Sequence, residues 1–389
     1  MKVLFDFQAF DMQTHGGVSR CFAEIYNHKP ADVDMTFAVL ETGNTYLQQM
    51  GYPQAGTAIN NFLGGMKLPL KRLLYKLYYN CKYGHPELWD RMPRLNKYYT
   101  EQLLKSGDFD VFHPTFFDPY FLEYIGETPF VLTIHDMIPE LYPKYYPSNN
   151  EQIVAKKILV PKASHIVAVS ERTRQDAIRI LGIPEDKISV VYHGADPTPY
   201  YPSVGPKYDF EYILYVGERH MYKNFLGFCR DVIPVLRRHR ELKVFCTGKP
   251  FTDEELFFFD AFGMKERFVH AYIETNKDMM DLYHNAVAFV YPSAYEGFGL
   301  PILEAYKADC PIMLNRASCF PEIAGDAAVY FTMGKEESDF EEQFETLYHL
   351  DSNEREALLD KQRERLKLYS WEKSARELAA VYKKIVDKK

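Results

Sequence analysis

The sequence lacks the features that mark several large classes of protein. Its six cysteines include no C-x-x-C pair and its histidines show no H-E-x-x-H spacing, so neither a disulfide scaffold nor a zinc site is expected. No apolar run is long enough to span a bilayer. A net charge of −8 argues against nucleic-acid binding. Unpaired cysteines, and a first strand that begins at Lys2 without a preceding signal peptide, predict a cytoplasmic location.

One segment of this acidic chain has no acidic residues. From Thr42 to Pro86 there is no Asp or Glu, while lysines and leucines recur there at helical spacing. This pattern predicts a basic amphipathic helix, suited to peripheral contact with an anionic membrane or a diphosphate-bearing lipid. The alternative is a surface helix whose leucines enter the core. The basic residues expected to contact such a membrane are Lys67, Lys71, Arg72 and Lys76.

The order of apolar segments indicates the fold class. A chain of 389 residues is too long for one ordinary core, so two domains are expected. Short apolar segments alternate with helical ones, which predicts an α/β protein with two doubly wound Rossmann-like domains facing across a cleft. A proline-rich stretch, 196–207, predicts the linker, which gives domains at 1–200 and 201–370 and a charged helix at 371–389. The expected strands are 2–7, 35–40, 111–113, 130–135, 165–170, 189–193, 212–216, 243–247, 268–271, 286–291, 311–314 and 329–331.

Two glutamates, Glu296 and Glu304, bracket a turn that follows a predicted buried strand. Pro301 suits the first turn of a helix, and Gly297 is expected to let the backbone approach a ligand closely. The amides expected to face an anion, helped by the helix dipole, belong to Phe298, Gly299 and Leu300. Amides for phosphate and carboxylates for hydroxyls suit a nucleotide sugar. A surface turn with two solvated glutamates is the alternative.

Three further loops carry candidate site residues at predicted strand ends. Gly16 and Gly17 lie at a strand-to-helix turn, as phosphate sites need, although a tight turn explains them equally well. His135 ends a strand, where it could donate to a sugar hydroxyl or to an oxygen that gains charge; a structural histidine is the alternative. Arg219 and Lys223 could stabilise a leaving diphosphate without a metal. We expect no metal site, since both D-x-D pairs precede strands.

These segments together resemble the retaining GT-B glycosyltransferases of family 4. The resemblance covers nearly the whole chain. Its motifs are Gly16-Gly17-Val18, Ile134-His135-Asp136, Val169-Ser170-Glu171, His193-Gly194, Val216-Gly217 through Lys223-Asn224, Glu296 through Glu304, Pro321 through Ala328, and Ser370 through Ser374. The last of these is similar to the family's final helix, which crosses back to the first domain. The order and spacing of the motifs are more specific than any one of them.

The resemblance implies roles for the charged candidates. Arg219 and Lys223 would hold the diphosphate of a nucleotide-activated sugar. Glu296 would contact the donor sugar and Glu304 the ribose hydroxyls. His135 would contact the transferred sugar near the reaction centre. No cofactor or metal is implied beyond the donor itself.

The resemblance also implies backbone contacts. Gly16 and Gly17 would close over the diphosphate or the acceptor. Backbone at Gly299 and Leu300 would meet phosphate or ribose, and backbone near Ile273 would meet the base. The chain departs from the family pattern at Ala271, where glycine is common, and at Glu218-Arg219-His220-Met221.

The expected function is therefore transfer of a hexosyl unit, with retention, from a nucleoside diphosphate to a glycan or lipid-linked glycan in bacterial polysaccharide assembly. Three alternatives stay open at this stage. A nucleotide-sugar 2-epimerase shares the architecture but needs no acceptor. A disaccharide phosphorylase would use inorganic phosphate and no nucleotide. A non-catalytic subunit would bind the donor without turning it over.

Overall fold

The N-terminal half forms one layer of parallel strands. In the computed structural model the described residues are 1–54, 93–196, 198, 200–202, 208–273, 275–334 and 338–387. The strands of this half are β1 (Lys2–Phe5), β2 (Asp34–Phe37), β3 (Val111–His113), β4 (Val131–Ile134), β5 (His165–Ala168) and β6 (Ile188–Val190). They pair in the orders β2-β1-β3 and β4-β5-β6. A parallel bridge between Phe112 and Phe130 brings the edges of β3 and β4 together.

The C-terminal half forms a second parallel sheet. Its strands are β7 (Tyr212–Tyr215), β8 (Lys243–Thr247), β9 (Phe268–Ala271), β10 (Ala288–Tyr291), β11 (Ile312–Asn315) and β12 (Val329–Phe331). They are arranged in the order β12-β11-β10-β7-β8-β9. The chain therefore builds outward from β7 in one direction and then returns to β10 on its other side. Ligands of such sheets bind beyond the carboxyl ends of the strands at this reversal of order.

Helices connect the strands on both faces. Those of the N-terminal half are α1 (Gln8–Met12), α2 (Gly17–Asn27), α3 (Thr45–Gln49), α4 (Pro93–Ser106), α5 (Ile138–Leu141), α6 (Glu151–Lys162) and α7 (Glu171–Leu181). Those that follow are α8 (Phe225–Arg238), α9 (Asp253–Ala261), α10 (Asn276–Asn285), α11 (Leu300–Lys307), α12 (Phe320–Ala324), α13 (Phe340–Tyr348), α14 (Ser352–Leu366) and α15 (Trp371–Val386). Short 3-10 turns occupy Pro119–Glu123, Glu185–Lys187, Met221–Lys223 and Lys265–Arg267.

Local sequence explains where the helices near the cleft begin. Ser170 caps α7 by accepting a hydrogen bond from the backbone N–H of Thr173 at 3.0 Å, as predicted for an N-cap serine. Gly299 precedes α11 with a φ of 89°, a left-handed conformation that favours glycine. Pro301 follows in the first turn, where it forfeits no helical hydrogen bond. Both helices therefore start at the ligand ends of their sheets.

The last helix returns to the first half of the chain. Trp371, Leu378 and Tyr382 of α15 are buried within the hydrophobic core that also contains β1, β3 and β4. The Tyr382 hydroxyl lies 2.6 Å from Nδ1 of His113, which ends β3. The N-terminal core is thus completed by the C-terminal end of the chain.

The predicted fold class, α/β with two doubly wound parallel sheets, is confirmed. A strand is present in each of the twelve predicted ranges, and four, including 243–247 and 268–271, have the predicted bounds. The basic segment that contains Lys67, Lys71, Arg72 and Lys76 lies outside the described residues, as does most of the predicted linker. Within the described part of the chain, no helix is long and apolar enough to cross a membrane.

Candidate active site between the two sheets

A lysine–glutamate pair lies where the order of the C-terminal strands reverses. Lys223 follows β7 and Glu296 follows β10, and these two strands are neighbours. The Lys223 Nζ donates to Glu296 Oε1 at 2.7 Å. The side chains are 20% and 11% exposed, so both reach solvent-accessible space. The structure therefore brings together two of the predicted site residues at the expected ligand-binding edge.

The backbone of Glu296 is held by hydrogen bonds from the loop after β11. Its N–H donates to the Ser318 hydroxyl at 3.1 Å, and that hydroxyl donates back to the Glu296 carbonyl at 2.7 Å. The Cys319 thiol also approaches this carbonyl, at 3.2 Å. Burial, and next the Glu296 carboxylate, raise the pKa of Tyr291 well above its usual value, so this phenol stays protonated beside the pair. Glu296 is consequently fixed in place before any ligand binds.

His135 offers an unused hydrogen-bonding atom from the opposite sheet. It follows β4, and its Nε2 is buried without a hydrogen-bond partner among the described residues. Burial lowers the pKa of His135 to about 4, so the ring is neutral at neutral pH. A buried polar atom left without a partner is costly. An oxygen of a ligand would satisfy it.

The two halves of the chain meet at Gly297, beside His135. A side-chain Cβ on Gly297 would lie 1.7 Å from the backbone oxygen of His135. The Gly297 carbonyl accepts hydrogen bonds from the hydroxyls of Ser170, at 2.6 Å, and Thr173, at 3.2 Å. The close approach that the structure records at Gly297 is to the N-terminal half, and the predicted approach to a ligand stays a prediction. The residue between Glu296 and the α11 turn is therefore pinned to the opposite domain.

A second contact between the halves caps α7. The Glu322 carboxylate accepts hydrogen bonds from the backbone N–H groups of Glu171, at 2.6 Å, and Arg172, at 3.0 Å. A carboxylate at a helix N-terminus satisfies unpaired N–H groups and is favoured by the helix dipole. Nearby, the Tyr295 hydroxyl donates to Asp176 at 3.0 Å. The relative position of the two sheets is thus set by several polar contacts around the site.

The hydrogen bonds recorded for the Arg219 side chain go to residues other than the Lys223–Glu296 pair. Its guanidinium donates to the Glu255 carboxylate at 2.9 Å and to the carbonyls of Thr247, Lys249 and Pro250. The side chains of Arg219 and Glu255 are only 5% and 7% exposed. Four of the five guanidinium N–H groups are therefore already used. These hydrogen bonds hold the loop after β8 in place. The proposed contact of Arg219 with a diphosphate stays a prediction.

Glu304 points from α11 toward the N-terminal half. Its Oε1 accepts from Arg20 Nη1 at 2.7 Å and its Oε2 from the Tyr283 hydroxyl at 3.3 Å. Both charged side chains are 28% exposed. The predicted ribose contact therefore lies at the boundary between the two halves, paired with an arginine that sequence analysis did not select.

The two glycines at the start of α2 lie close to α11 across the same boundary. A Cβ on Gly17 would lie 3.6 Å from Leu300 Cδ1, an ordinary contact distance. The Gln13 side chain fills the space beside Gly16 and accepts from the Ser19 N–H at 3.1 Å. The structure thus places Gly16, Gly17 and Leu300 near one another, as a shared site requires. Their contacts with phosphate stay predictions.

Phe298 and Ile273 border the C-terminal core. Phe298 is only 4% exposed, and its ring packs 5.0 Å from the ring of His193, so the predicted contact of its amide with an anion stays a prediction. Ile273 follows β9 and is half-buried against the same core as Leu300. The predicted approach of a base to Ile273 is therefore at an accessible edge of the sheet. Among the described residues there is no cluster of three or more His, Cys, Asp or Glu side chains that could hold a metal.

Arg20, Tyr283 and the interdomain role of Ser170 were not predicted from the sequence. Arg20 lies only three residues after Gly17, so its position on the first turn of α2 was the one available signal. Its partner, Glu304, is 284 residues away. A contact between residues so distant in sequence is not encoded in any local pattern.

Two family models match the chain. One, described as Glycosyltransferase Family 4, matches residues 69–198, and the other, described as Glycosyl transferases group 1, matches residues 211–349. Among curated proteins, an O-antigen chain mannosyltransferase B from Escherichia coli is 30% identical over 56% of this chain. The O-antigen chain mannosyltransferase RfbU from Salmonella typhimurium is 24% identical over 53% of it. These alignments cover 60% and 58% of the relatives' own lengths.

The comparison with solved structures extends over the whole chain. A crystal structure of Anabaena Alr3699/HepE in complex with UDP and glucose covers 98% of this chain and 99% of its own, with a TM-score of 0.71 and 16% identity. Such low identity supports the fold alone. The two family models confirm the resemblance noted from the motifs, and the solved structure supports the fold. The chain belongs to the glycosyltransferases of family 4, or glycosyl transferases group 1, and has the GT-B fold.

Proposed function

We propose that the chain is a retaining glycosyltransferase that moves a hexosyl unit from a nucleoside diphosphate sugar to a hydroxyl of a glycan or lipid-linked glycan. The mannosyl unit is the first candidate, because the curated relatives described above are named as mannosyltransferases. The proposed place of reaction is the cytoplasm, or the inner face of the membrane for a lipid-linked acceptor. UDP is one candidate carrier, since the Anabaena neighbour contains it.

The proposal rests on one observation: the loop that carries the Lys223–Glu296 pair is in backbone contact with His135, whose neutral ring has an unpaired nitrogen. Lys223 and Glu296 lie at the strand reversal, joined at 2.7 Å. His135 Nε2 is buried without a partner among the described residues. The Gly297 contact holds the loop of Glu296 against the backbone of His135. A sugar bound beside this contact would meet a cation, a carboxylate and a neutral ring.

We assign each group a role in the transfer. Lys223 would neutralise charge on the departing diphosphate, together with the N-terminus of α11, so no metal is needed for this step. His135 would satisfy its Nε2 with a hydroxyl of the transferred sugar. Glu296 would bind a hydroxyl of the same sugar and hold Lys223 in place. None of these side chains forms a covalent bond to the sugar.

The chemical step then requires only donor and acceptor atoms. The bond between the anomeric carbon and the phosphate oxygen breaks, and the bond to the acceptor oxygen forms on the same face. The acceptor proton passes to the departing phosphate oxygen. Configuration is therefore retained, and exclusion of water by the closed domains would limit hydrolysis.

The test replaces each member of the pair by an uncharged residue of similar size. Glu296→Gln and Lys223→Gln should each lower kcat at least about 100-fold, measured as nucleoside diphosphate released with donor and glycan acceptors. The matched control is the exposed pair Lys249 and Glu218, which lie 3.2 Å apart in neighbouring loops of the same domain. Lys249→Gln should leave turnover near wild type.

The outcomes separate the proposal from its alternatives. Loss at the control pair instead of at Lys223 and Glu296 would move the site elsewhere. Conversion of the donor to an isomeric nucleotide sugar without acceptor would indicate a 2-epimerase. Donor binding without any turnover across a broad acceptor panel would indicate a binding subunit. Unchanged turnover in the presence of EDTA is expected for the metal-independent step.

A further inference from the structure

A salt bridge between Arg20 and Glu304 joins the two domains beside the proposed nucleotide site. Arg20 lies on α2 of the N-terminal domain, and Glu304 lies on α11 of the C-terminal domain. Arg20 Nη1 donates to Glu304 Oε1 at 2.7 Å. Both side chains are 28% exposed, so the bridge borders accessible space. The residue proposed to bind ribose is thus held by a cation that the other domain supplies.

The bridge leaves room for a ligand on Glu304. An ionised carboxylate can accept about four hydrogen bonds. Arg20 uses one acceptor position on Oε1, and the Tyr283 hydroxyl uses one on Oε2, at 3.3 Å. Burial, and next Glu304, raise the pKa of Tyr283 well above its usual value, so this hydroxyl stays a donor. Two acceptor positions remain, which matches the two adjacent hydroxyls of a ribose.

We infer that Arg20 is a positioning residue for the donor: it orients the Glu304 carboxylate toward the ribose 2′- and 3′-hydroxyls only when the two domains are closed. This inference rests on the proposed function, in which Glu304 contacts ribose. The Arg20 guanidinium also neutralises Glu304, which would otherwise repel a nearby diphosphate.

The test measures how strongly the protein distinguishes a ribose from a 2′-deoxyribose. The full chain is titrated calorimetrically with UDP, GDP and ADP, and the tightest of these is compared with its 2′-deoxy analogue. The wild type should prefer the ribonucleotide by about tenfold or more, the effect of one charge-assisted hydrogen bond. In Arg20→Gln this preference should fall to about twofold or less. Arg20→Lys, which keeps the charge, should lie between.

The matched control is Glu24→Gln. Glu24 is the other carboxylate near Arg20, 3.8 Å from its Nε, and lies one turn further along α2. Its replacement should leave the preference for ribose unchanged. Circular dichroism checks that each variant is folded, and Arg20→Lys serves if Arg20→Gln does not fold.

Three results would overturn the inference. Undiminished ribose preference in both Arg20 variants would show that Arg20 does not orient Glu304. A loss of affinity for the ribonucleotide and its 2′-deoxy analogue by the same factor would assign Arg20 to the diphosphate instead. Loss of ribose preference in Glu24→Gln would attribute the effect to α2 as a whole. Failure of the wild type to bind any nucleoside diphosphate would instead refute the proposed function itself.

Discussion

Replacing Gly297 by alanine tests whether the two domains must touch for turnover. The new Cβ would lie 1.7 Å from the His135 carbonyl oxygen and 2.9 Å from the carbonyl carbon. Both of these are backbone atoms, which cannot rotate away as a flexible side chain can. The two backbones must separate by about 1.5–2 Å to reach an ordinary contact distance. The variant therefore adds one methyl group at a point where the two domains are in direct contact.

The expected cost falls on the closed arrangement. Overpacking of this kind costs about 1–3 kcal/mol, and the hydrogen bond from Ser170 to the Gly297 carbonyl, 2.6 Å long, would also stretch. A misplacement of about 1 Å at a reacting centre can cost 100-fold in rate. We expect kcat/KM to fall at least about 100-fold in Gly297→Ala. The domain cores contain neither residue of the clash, so far-UV circular dichroism should be unchanged.

The assay follows steady-state turnover and, by small-angle X-ray scattering, the radius of gyration with and without nucleoside diphosphate. The control is Gly43→Ala, because a Cβ there would meet no atom within 4 Å. That variant should behave as wild type in both measurements. Wild-type turnover in Gly297→Ala, with unchanged scattering, would refute the claim that this contact sets the geometry of the site.

Two further predictions concern groups outside the transfer step. Arg219→Ala should destabilise the protein by about 3–5 kcal/mol, because it leaves the buried Glu255 carboxylate unpaired. The control, Arg238→Ala, removes an exposed arginine and should cost under about 1 kcal/mol. Weaker donor binding without a lower melting temperature would indicate instead that Arg219 binds the diphosphate. Burial lowers the pKa of His113 to about 3, from 6.5. As the pH falls, this histidine therefore becomes protonated in the unfolded chain before it does in the folded protein. Stability is then full above pH 6.5 and should fall by about 2 kcal/mol from this residue as pH drops to 5. A thermal melt of His113→Asn should show a correspondingly flatter pH dependence, and an equally steep one would contradict the assignment.

The strands and the helix starts near the site could be predicted from sequence because they depend on local patterns. Short apolar runs and turn residues predicted the position of all twelve strands, four with their bounds, and Ser170 and Pro301 predicted the starts of α7 and α11. The two residues of the charged pair could be predicted for the same reason. Lys223 and Glu296 each follow a strand, and parallel strands end at one edge.

Contacts between residues that are distant in sequence could not be predicted in this way. The loop position of Arg219 could be predicted, but its partner Glu255, 36 residues away, could not. Gly297 looked like a residue for ligand approach, yet the atoms that require its missing side chain belong to His135, far away in sequence. Local patterns indicate where a side chain starts, and the tertiary fold decides what it meets.

A structure of the protein with its preferred nucleoside diphosphate sugar would test the central claim most directly. The account predicts the diphosphate within hydrogen-bond distance of Lys223 Nζ, the sugar between Glu296 and the Nε2 of His135, and the ribose on Glu304. A nucleotide bound instead in the neighbouring pocket of about 460 Å³, lined by Arg219 and His220, would contradict it.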